Sequence, residues 1–195
     1  MRLMSTSFRV ICALALLALA GCGSVSKREC ETGDWYGIGV RDGANGYGEE
    51  RFLDNAKACV KHGIAADRER WLDGRMRGLE RYCTVRNGLG VGARNDAYRG
   101  VCPRPDEDEF LRGYELGRDL HHARARVSSL DSEIYEIKER LRRHHDADPD
   151  DEKEKKDRLS DAERVELAYR LGVAVTQREI AERDCAVLED QARDL

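Results

Sequence analysis

The chain has 195 residues, of which 37% are charged and only 6% aromatic, a balance of much surface over a modest core that suits long helices and leaves no room for two full enzymatic domains. Its formal net charge is −4, and nucleic acid, which calls for clustered Lys and Arg, is not an expected partner.

The first stretch, MRLMSTSFRVICALALLALAGC, sets Arg2 and Arg9 ahead of an apolar run from Val10 to Ala20 and ends in Ala20-Gly21 before Cys22. Basic, apolar and small-residue parts in that order read as a secretory signal over residues 1–21, and the apolar run is too short for an ordinary membrane-spanning helix. The last four of these residues, LAGC, resemble the lipobox of bacterial lipoproteins. That resemblance implies cleavage before Cys22, diacylglyceration of its thiol and acylation of the new amino terminus. Three acyl chains on one residue anchor a protein stably, where one holds it only marginally. The expected location is the cell envelope, lipid-anchored through a tether over residues 22–29. In a Gram-negative source, Gly23 in place of Asp after the cysteine favours the periplasmic face of the outer membrane.

With Cys12 lost in the signal and Cys22 lipidated, Cys30, Cys59, Cys83, Cys102 and Cys185 remain. In an oxidising compartment the four between residues 30 and 102 are expected to form two disulfides, with three connectivities open. Their wide spacing argues against structural zinc, whose ligands come in close pairs. Neither metal nor cofactor is expected. Cys185 lies on a helical stripe and reads as a small buried apolar residue, with an intermolecular bridge as the alternative.

Residues 30–118 read as a Cys- and Gly-rich helical head. Three segments share an aromatic-x2-Gly-x3-Gly pattern: YGIGVRDG from Tyr36, WLDGRMRG from Trp71 and FLRGYELG from Phe110. The spacing puts Gly39 and Gly43, Gly74 and Gly78, and Gly113 and Gly117 each on one helical face, one turn apart, where a neighbouring helix can approach closely. A helical glycine costs about 0.5–1 kcal/mol relative to alanine, so close packing must offset six of them. The first segment also invites comparison with a dinucleotide-binding loop, but the residues before Asp34 are polar and supply no strand, and no Lys follows in P-loop order.

Between the first two segments, ERFLDNAKACVKHG places Phe52, Ala56, Cys59 and Val60 on one face and stops at Gly63-Ile64 in Schellman fashion. Asp67 is positioned as an N-cap for the second segment. Pro105, with Asp106 and Glu109 at capping-box spacing, precedes the third. From Tyr82 to Cys102, the turn signal Asn87-Gly88 and further glycines predict an irregular loop or short hairpin, a surface segment suited to binding if it is closed by a disulfide.

Residues 119–195 form a charged tail. Val127, Leu130, Ile134, Ile137 and Leu141 recur at three and four residues, and Leu167, Leu171, Ala174, Ala181, Cys185, Leu188, Ala192 and Leu195 line a second stripe that Arg178 interrupts. Two such stripes predict an antiparallel helical hairpin or coiled coil, or pairing with a partner helix. Residues 22–118 hold 17 basic and 17 acidic groups and residues 119–195 hold 15 and 21, so the acidity lies in the tail.

Candidate sites are few. Asp146–Asp157 has acidic groups at EF-hand positions but Asp151 where the loop needs glycine, and three lysines among the ligands, so a solvated turn is expected. His121-His122 and His144-His145 are about 35 Å apart on one helix and cannot share an ion. Asp34, Asp42 and Asp73 are conceivable carboxylates for glycan hydrolysis, but Asp34 and Asp73 serve equally as helix-end or surface residues. No nucleophile elbow or zinc-protease motif is present.

The order of motifs is a lipobox, C-x3-DW-x3-G-x2-DG-x2-G, a lone cysteine, W-x2-G-x3-GL-x2-YCT-x2-NG, Y-x-GVCP and F-x2-GY-x2-GR. It resembles the bacterial lipoproteins grouped as domain of unknown function 2799, over Cys30 to about Leu120. Members more often open the second segment with Tyr, where this chain has Trp71. The resemblance implies an envelope lipoprotein, treats the four head cysteines as one set and implies no activity. The reading as a whole is a mainly α protein: a small disulfide-stapled helical head with glycine-mediated packing, then a long helical hairpin. Its expected role is a non-enzymatic structural or protein-interaction module, with a protein partner or self-association through the tail. The alternative is a module that binds or cleaves envelope glycan through the glycine-rich segment after Cys83.

Overall fold

The computed structural model describes residues 25–147, 151 and 158–195. Over these the chain is helical: α1 (Lys27–Thr32), α2 (Trp35–Ala44), α3 (Glu50–Val60), α4 (Arg68–Tyr82), α5 (Val85–Ala93), α6 (Asp106–Asp146) and α7 (Asp161–Arg193), with no strand among the described residues. The signal over residues 1–21 and the lipidation candidate Cys22 lie outside the described residues. So does the EF-hand-like window Asp146–Asp157, apart from Asp146, Ala147 and Asp151. Two compact units divide the chain, Met1–Leu79 and Glu80–Leu195, and the division falls inside α4.

In the first unit, Ser26 caps α1 in a capping box with Glu29 and Asp34 caps α2 by accepting from the Gly37 N–H at 2.9 Å. Helix α3 stops as a Schellman turn: Gly63 is left-handed at φ 73° and the Ile64 N–H reaches the Cys59 carbonyl at 3.2 Å. Asp67 caps α4 through the Arg70 N–H at 3.0 Å. A core of Val25, Cys30, Trp35, Ile38, Phe52, Cys59 and Trp71 gathers between these helices. The Phe52 ring lies between the two indoles, 6.2 Å from Trp35 and 5.5 Å from Trp71.

Helices α2 and α4 meet backbone to backbone. A methyl group on Gly39 would overlap Trp71 and Arg75, and one on Gly43 would overlap Arg75 and Leu79; Gly74 and Gly78 meet Tyr36, Val40 and Ala44 in return. As Gly39 gives way to Gly43 the partner advances from Trp71 to Leu79, so the two helices run in the same direction.

The second unit repeats this device with a pair that the sequence reading missed. The stretch from Tyr82 to Cys102 contains a helix, α5, and is not the irregular loop or hairpin that its glycines suggest. Thr84 caps it by accepting from the Asn87 N–H at 3.2 Å, and Asn87 is turned back onto the Tyr82 carbonyl at 2.8 Å. Gly88 and Gly92 fall one turn apart and pack against Phe110, Tyr114 and Arg118 of α6, while Gly113 and Gly117 pack against Val85, Leu89 and Ala93. The expected capping box before α6 is also absent: the helix begins at Asp106 itself, with Pro105 as an N-cap that makes no side-chain bond. The four acidic residues of that first turn act instead on the helix dipole.

Beyond Gly117, α6 continues without a break for the rest of its 41 residues and pairs with α7. Leu130, Ile134 and Ile137 are buried together with Ala174, Ala181 and, at the turn, Leu159. Ser160 opens α7 in a capping box with Glu163. Arg178, the interruption in the apolar stripe, reaches across to Asp131, and Arg170–Glu133 at 3.0 Å and Arg124–Glu189 at 2.9 Å cross the same seam.

Candidate functional site

Each unit holds one disulfide. Cys30–Cys59 joins α1 to α3 with Cα atoms 5.4 Å apart, and Cys83–Cys102 joins the junction of α4 and α5 to the segment before α6 at 5.6 Å. This selects one of the three connectivities that the sequence leaves open. Cys185 is free and half-buried, beside Glu189 on the side of α7 that faces α6.

The buried polar chemistry lies in the first unit. Asp42, 1% exposed, accepts from the Asn55 amide at 2.7 Å and from the Trp71 indole N–H at 2.9 Å. Arg51 and Arg41 each approach its other oxygen at 3.9 Å. Arg75, also buried, donates to the Tyr47 carbonyl at 2.9 Å. Asn55 and Arg75 carry no motif signature; only the fold shows that Asn55 bonds Asp42 and that Arg75 is buried on the Tyr47 carbonyl. The other carboxylates considered for hydrolysis are elsewhere employed, Asp34 as a helix cap and Asp73 exposed on α4. Asp42 is committed to two donors inside a packed core, which is the arrangement of a structural carboxylate.

The same place in the second unit is apolar. Contacts of the paired glycines put Gly88 where Gly39 stands, Gly92 where Gly43 stands, and Phe110 where Trp71 stands. Asp42, one residue before Gly43, then corresponds to Val91, one before Gly92. The chain uses Asp with Trp in one unit and Val with Phe in the other. An indole N–H needs an acceptor and a phenyl ring does not, so the two positions change together. Around Phe110 the second unit gathers Tyr82 at 5.1 Å, Tyr98 at 4.6 Å and Tyr114 at 6.1 Å. The Tyr98 hydroxyl donates to Glu107 and accepts from the Cys102 N–H, both at 3.0 Å. Burial, with the Glu107 contact in the same direction, raises its pKa to about 12.

One histidine of each pair has a structural contact, and His122 and His145 are exposed. His121 Nδ1 lies 3.2 Å from the last carbonyl of α5, at Ala93, and His144 Nδ1 accepts the Leu159 N–H at 2.9 Å across the hairpin turn. Among the described residues no group of three His, Cys, Asp or Glu is placed to hold a metal ion.

One surface stands out for interaction. On α7, the side opposite the seam carries Val165, Tyr169, Val173, Ile180 and Val187, exposed by 70%, 69%, 39%, 48% and 57%. A shallow open depression runs along it, lined by Ala168, Tyr169, Gly172, Val173, Thr176 and Gln177. This second stripe was legible at helical spacing in the sequence but was overlooked beside the stronger seam.

Residues 34–119 match the model of a family described as a protein of unknown function (DUF2799). Over those residues the chain is similar to that family. The match covers α2 to α5 and the opening third of α6, so it contains both glycine-paired helix couples and ends where α6 turns to α7 as its partner. No curated protein and no solved structure matches the chain.

Proposed function

We propose that this chain is a non-enzymatic lipoprotein of the bacterial cell envelope, acting as a structural or protein-interaction module. In this reading the family-like segment supplies a disulfide-stapled stretch in each unit and the α6–α7 hairpin is the contact element. The observation that carries it is the apolar outer stripe of α7, because a helix that has already buried one face normally presents a charged one to water. The envelope placement is supported by the signal-like residues 1–21, the LAGC sequence at Cys22, and two disulfides, which persist in oxidising compartments. Attachment through lipid on Cys22 rests on the LAGC sequence; no helix of the described residues is long and apolar enough to cross a membrane. The glycan alternative rests on an open glycine-rich segment after Cys83; that segment is α5, with Gly88 and Gly92 covered by α6.

Two measurements test the proposal. Intact mass of the mature protein should show acylation that Cys22→Ser abolishes, releasing the chain from the membrane fraction. A photo-crosslinking residue placed at Val173 should give adducts with protein in living cells, while one at exposed Asp119 gives none. No adduct from the stripe would remove the contact role, and an unacylated soluble product would remove the anchor.

A further inference from the structure

Helix α7 has two apolar sides, and among the described residues only one is covered. Opposite the seam, no atom lies within 4 Å of where a Gly172 Cβ would stand. The open stripe keeps a spacing of eleven residues: Val165, Thr176 and Val187 form one row, Tyr169 and Ile180 a second, Gly172 and Arg183 a third. Eleven residues make three turns at 3.67 residues per turn, so the stripe follows the helix with little drift. From Val165 to Val187 it runs roughly 33 Å, long enough for an extended helix–helix contact.

Three charges bracket its apolar centre, Glu166 and Asp184 on one flank and Arg183 in the stripe itself. Among the described residues none of the three has an ion-pair partner, whereas the other arginines of α7, Arg164, Arg170, Arg178 and Arg193, all do. Arg183 makes only a contact from Nε to the Glu179 carbonyl, at 3.2 Å.

Resting on the interaction reading above, we propose that the stripe docks the same stripe of a second copy, antiparallel about a two-fold axis midway between Val173 and Thr176. Tyr169 then meets Ile180 of the second copy, Val173 meets Thr176, and Glu166 meets Arg183. Each contact occurs twice by symmetry. Charge selects this orientation. A parallel pairing sets every residue against itself and brings Arg183 onto Arg183 within the apolar stripe, where like charges are costly. The antiparallel pairing turns the same residues into two opposite-charge pairs at the ends. Gly172 leaves a gap at the centre into which the Thr176 and Gln177 side chains of the second copy fit.

The test is the light-scattering mass of the full chain in a Cys185→Ala background, where no bridge forms through that thiol, over a concentration series. The expected result is twice the chain mass. Ile180→Asp should leave a monomer, and Arg183→Glu should weaken pairing by about tenfold or more by setting like charges at both ends. The double exchange Glu166→Arg with Arg183→Glu should restore it. Circular dichroism of each variant separates lost pairing from lost folding. A monomer at every concentration overturns the proposal, as does a dimer indifferent to Ile180→Asp and Arg183→Glu. If the chain is monomeric while Val173 crosslinks to a different protein, the interaction reading stands and self-pairing falls; if it is monomeric and gives no crosslink, both fall.

Discussion

At the scale of single residues, the exchange of Asp42 with Trp71 for Val91 with Phe110 isolates a question of hydrogen-bond satisfaction from one of shape. Asp42→Val alone strips the acceptor from the Trp71 indole and the Asn55 amide inside the core, and should destabilise the protein by about 2–4 kcal/mol. Trp71→Phe removes one of those donors in advance. The double variant should therefore lose less than the sum of the two singles, with a coupling of about 1 kcal/mol or more in a denaturation cycle; additive losses would show that the pair does not act as a unit. Glu29 offers a pH-dependent test. Its bonds from the Ser26 backbone and hydroxyl, and then from Arg41, lower its pKa from 4.5 to about 2. A carboxylate with a depressed folded pKa contributes stability above its unfolded value and loses it as pH falls toward the folded one. Melting temperature should accordingly fall between about pH 4.5 and 2, and Glu29→Gln should flatten that part of the profile. Tyr98 has the opposite sign: with its pKa raised to about 12, stability falls as pH rises from 10 toward that value, and Tyr98→Phe should remove this alkaline loss.

At the scale of elements, the same residue type serves two purposes, and substitution separates them. Gly74 and Gly113 sit where a methyl group would run into the partner helix's backbone, whereas Gly172 faces open space. Gly74→Ala and Gly113→Ala should each lower stability by about 1–3 kcal/mol or more, since rigid backbone cannot move aside as a side chain can. Gly172→Ala should instead stabilise α7 by roughly 0.5–1 kcal/mol through helix propensity, read from thermal melts in dilute solution. Unchanged stability in Gly74→Ala or Gly113→Ala would deny the close packing of α2 on α4 or of α5 on α6. Reading the glycine pattern as aromatic-x2-Gly-x3-Gly finds three of the four helices, because Tyr36, Trp71 and Phe110 mark them. It misses α5, where Val85 holds the corresponding place and Asn87-Gly88 looks like a turn. Glycine is ambiguous locally: the residue that permits a turn also permits a close helix contact, and only the covering of Gly88 and Gly92 by α6 distinguishes them.

At the scale of the molecule, each compact unit carries its own disulfide, closing 29 and 19 residues. Loops of that size contribute about 3–4 kcal/mol each in the chain-entropy account. The paired substitution Cys30→Ser with Cys59→Ser should therefore raise hydrogen exchange chiefly in peptides from 25–79, and Cys83→Ser with Cys102→Ser chiefly in those from 80–195. Uniform loss of protection in either case would mean that the two units do not open separately.

What the sequence determined by itself are the features written in local periodicity and in residue type: a mainly helical chain with α5 left out, the hairpin seam of Leu130, Ile134, Ile137, Ala174 and Ala181, the Schellman stop at Gly63, and four cysteines suited to two bridges. Periodicity and capping act over a few residues, so they survive without knowledge of neighbours. Tertiary structure alone decided which cysteine meets which, that Gly39 and Gly43 pair with Gly74 and Gly78 while Gly113 and Gly117 pair with Gly88 and Gly92, that Asn55 and Trp71 converge on Asp42, and that Arg178 finds Asp131. Each of these depends on groups far apart in the chain meeting within a few ångströms, and a pattern read along one strand of sequence carries no record of that distance.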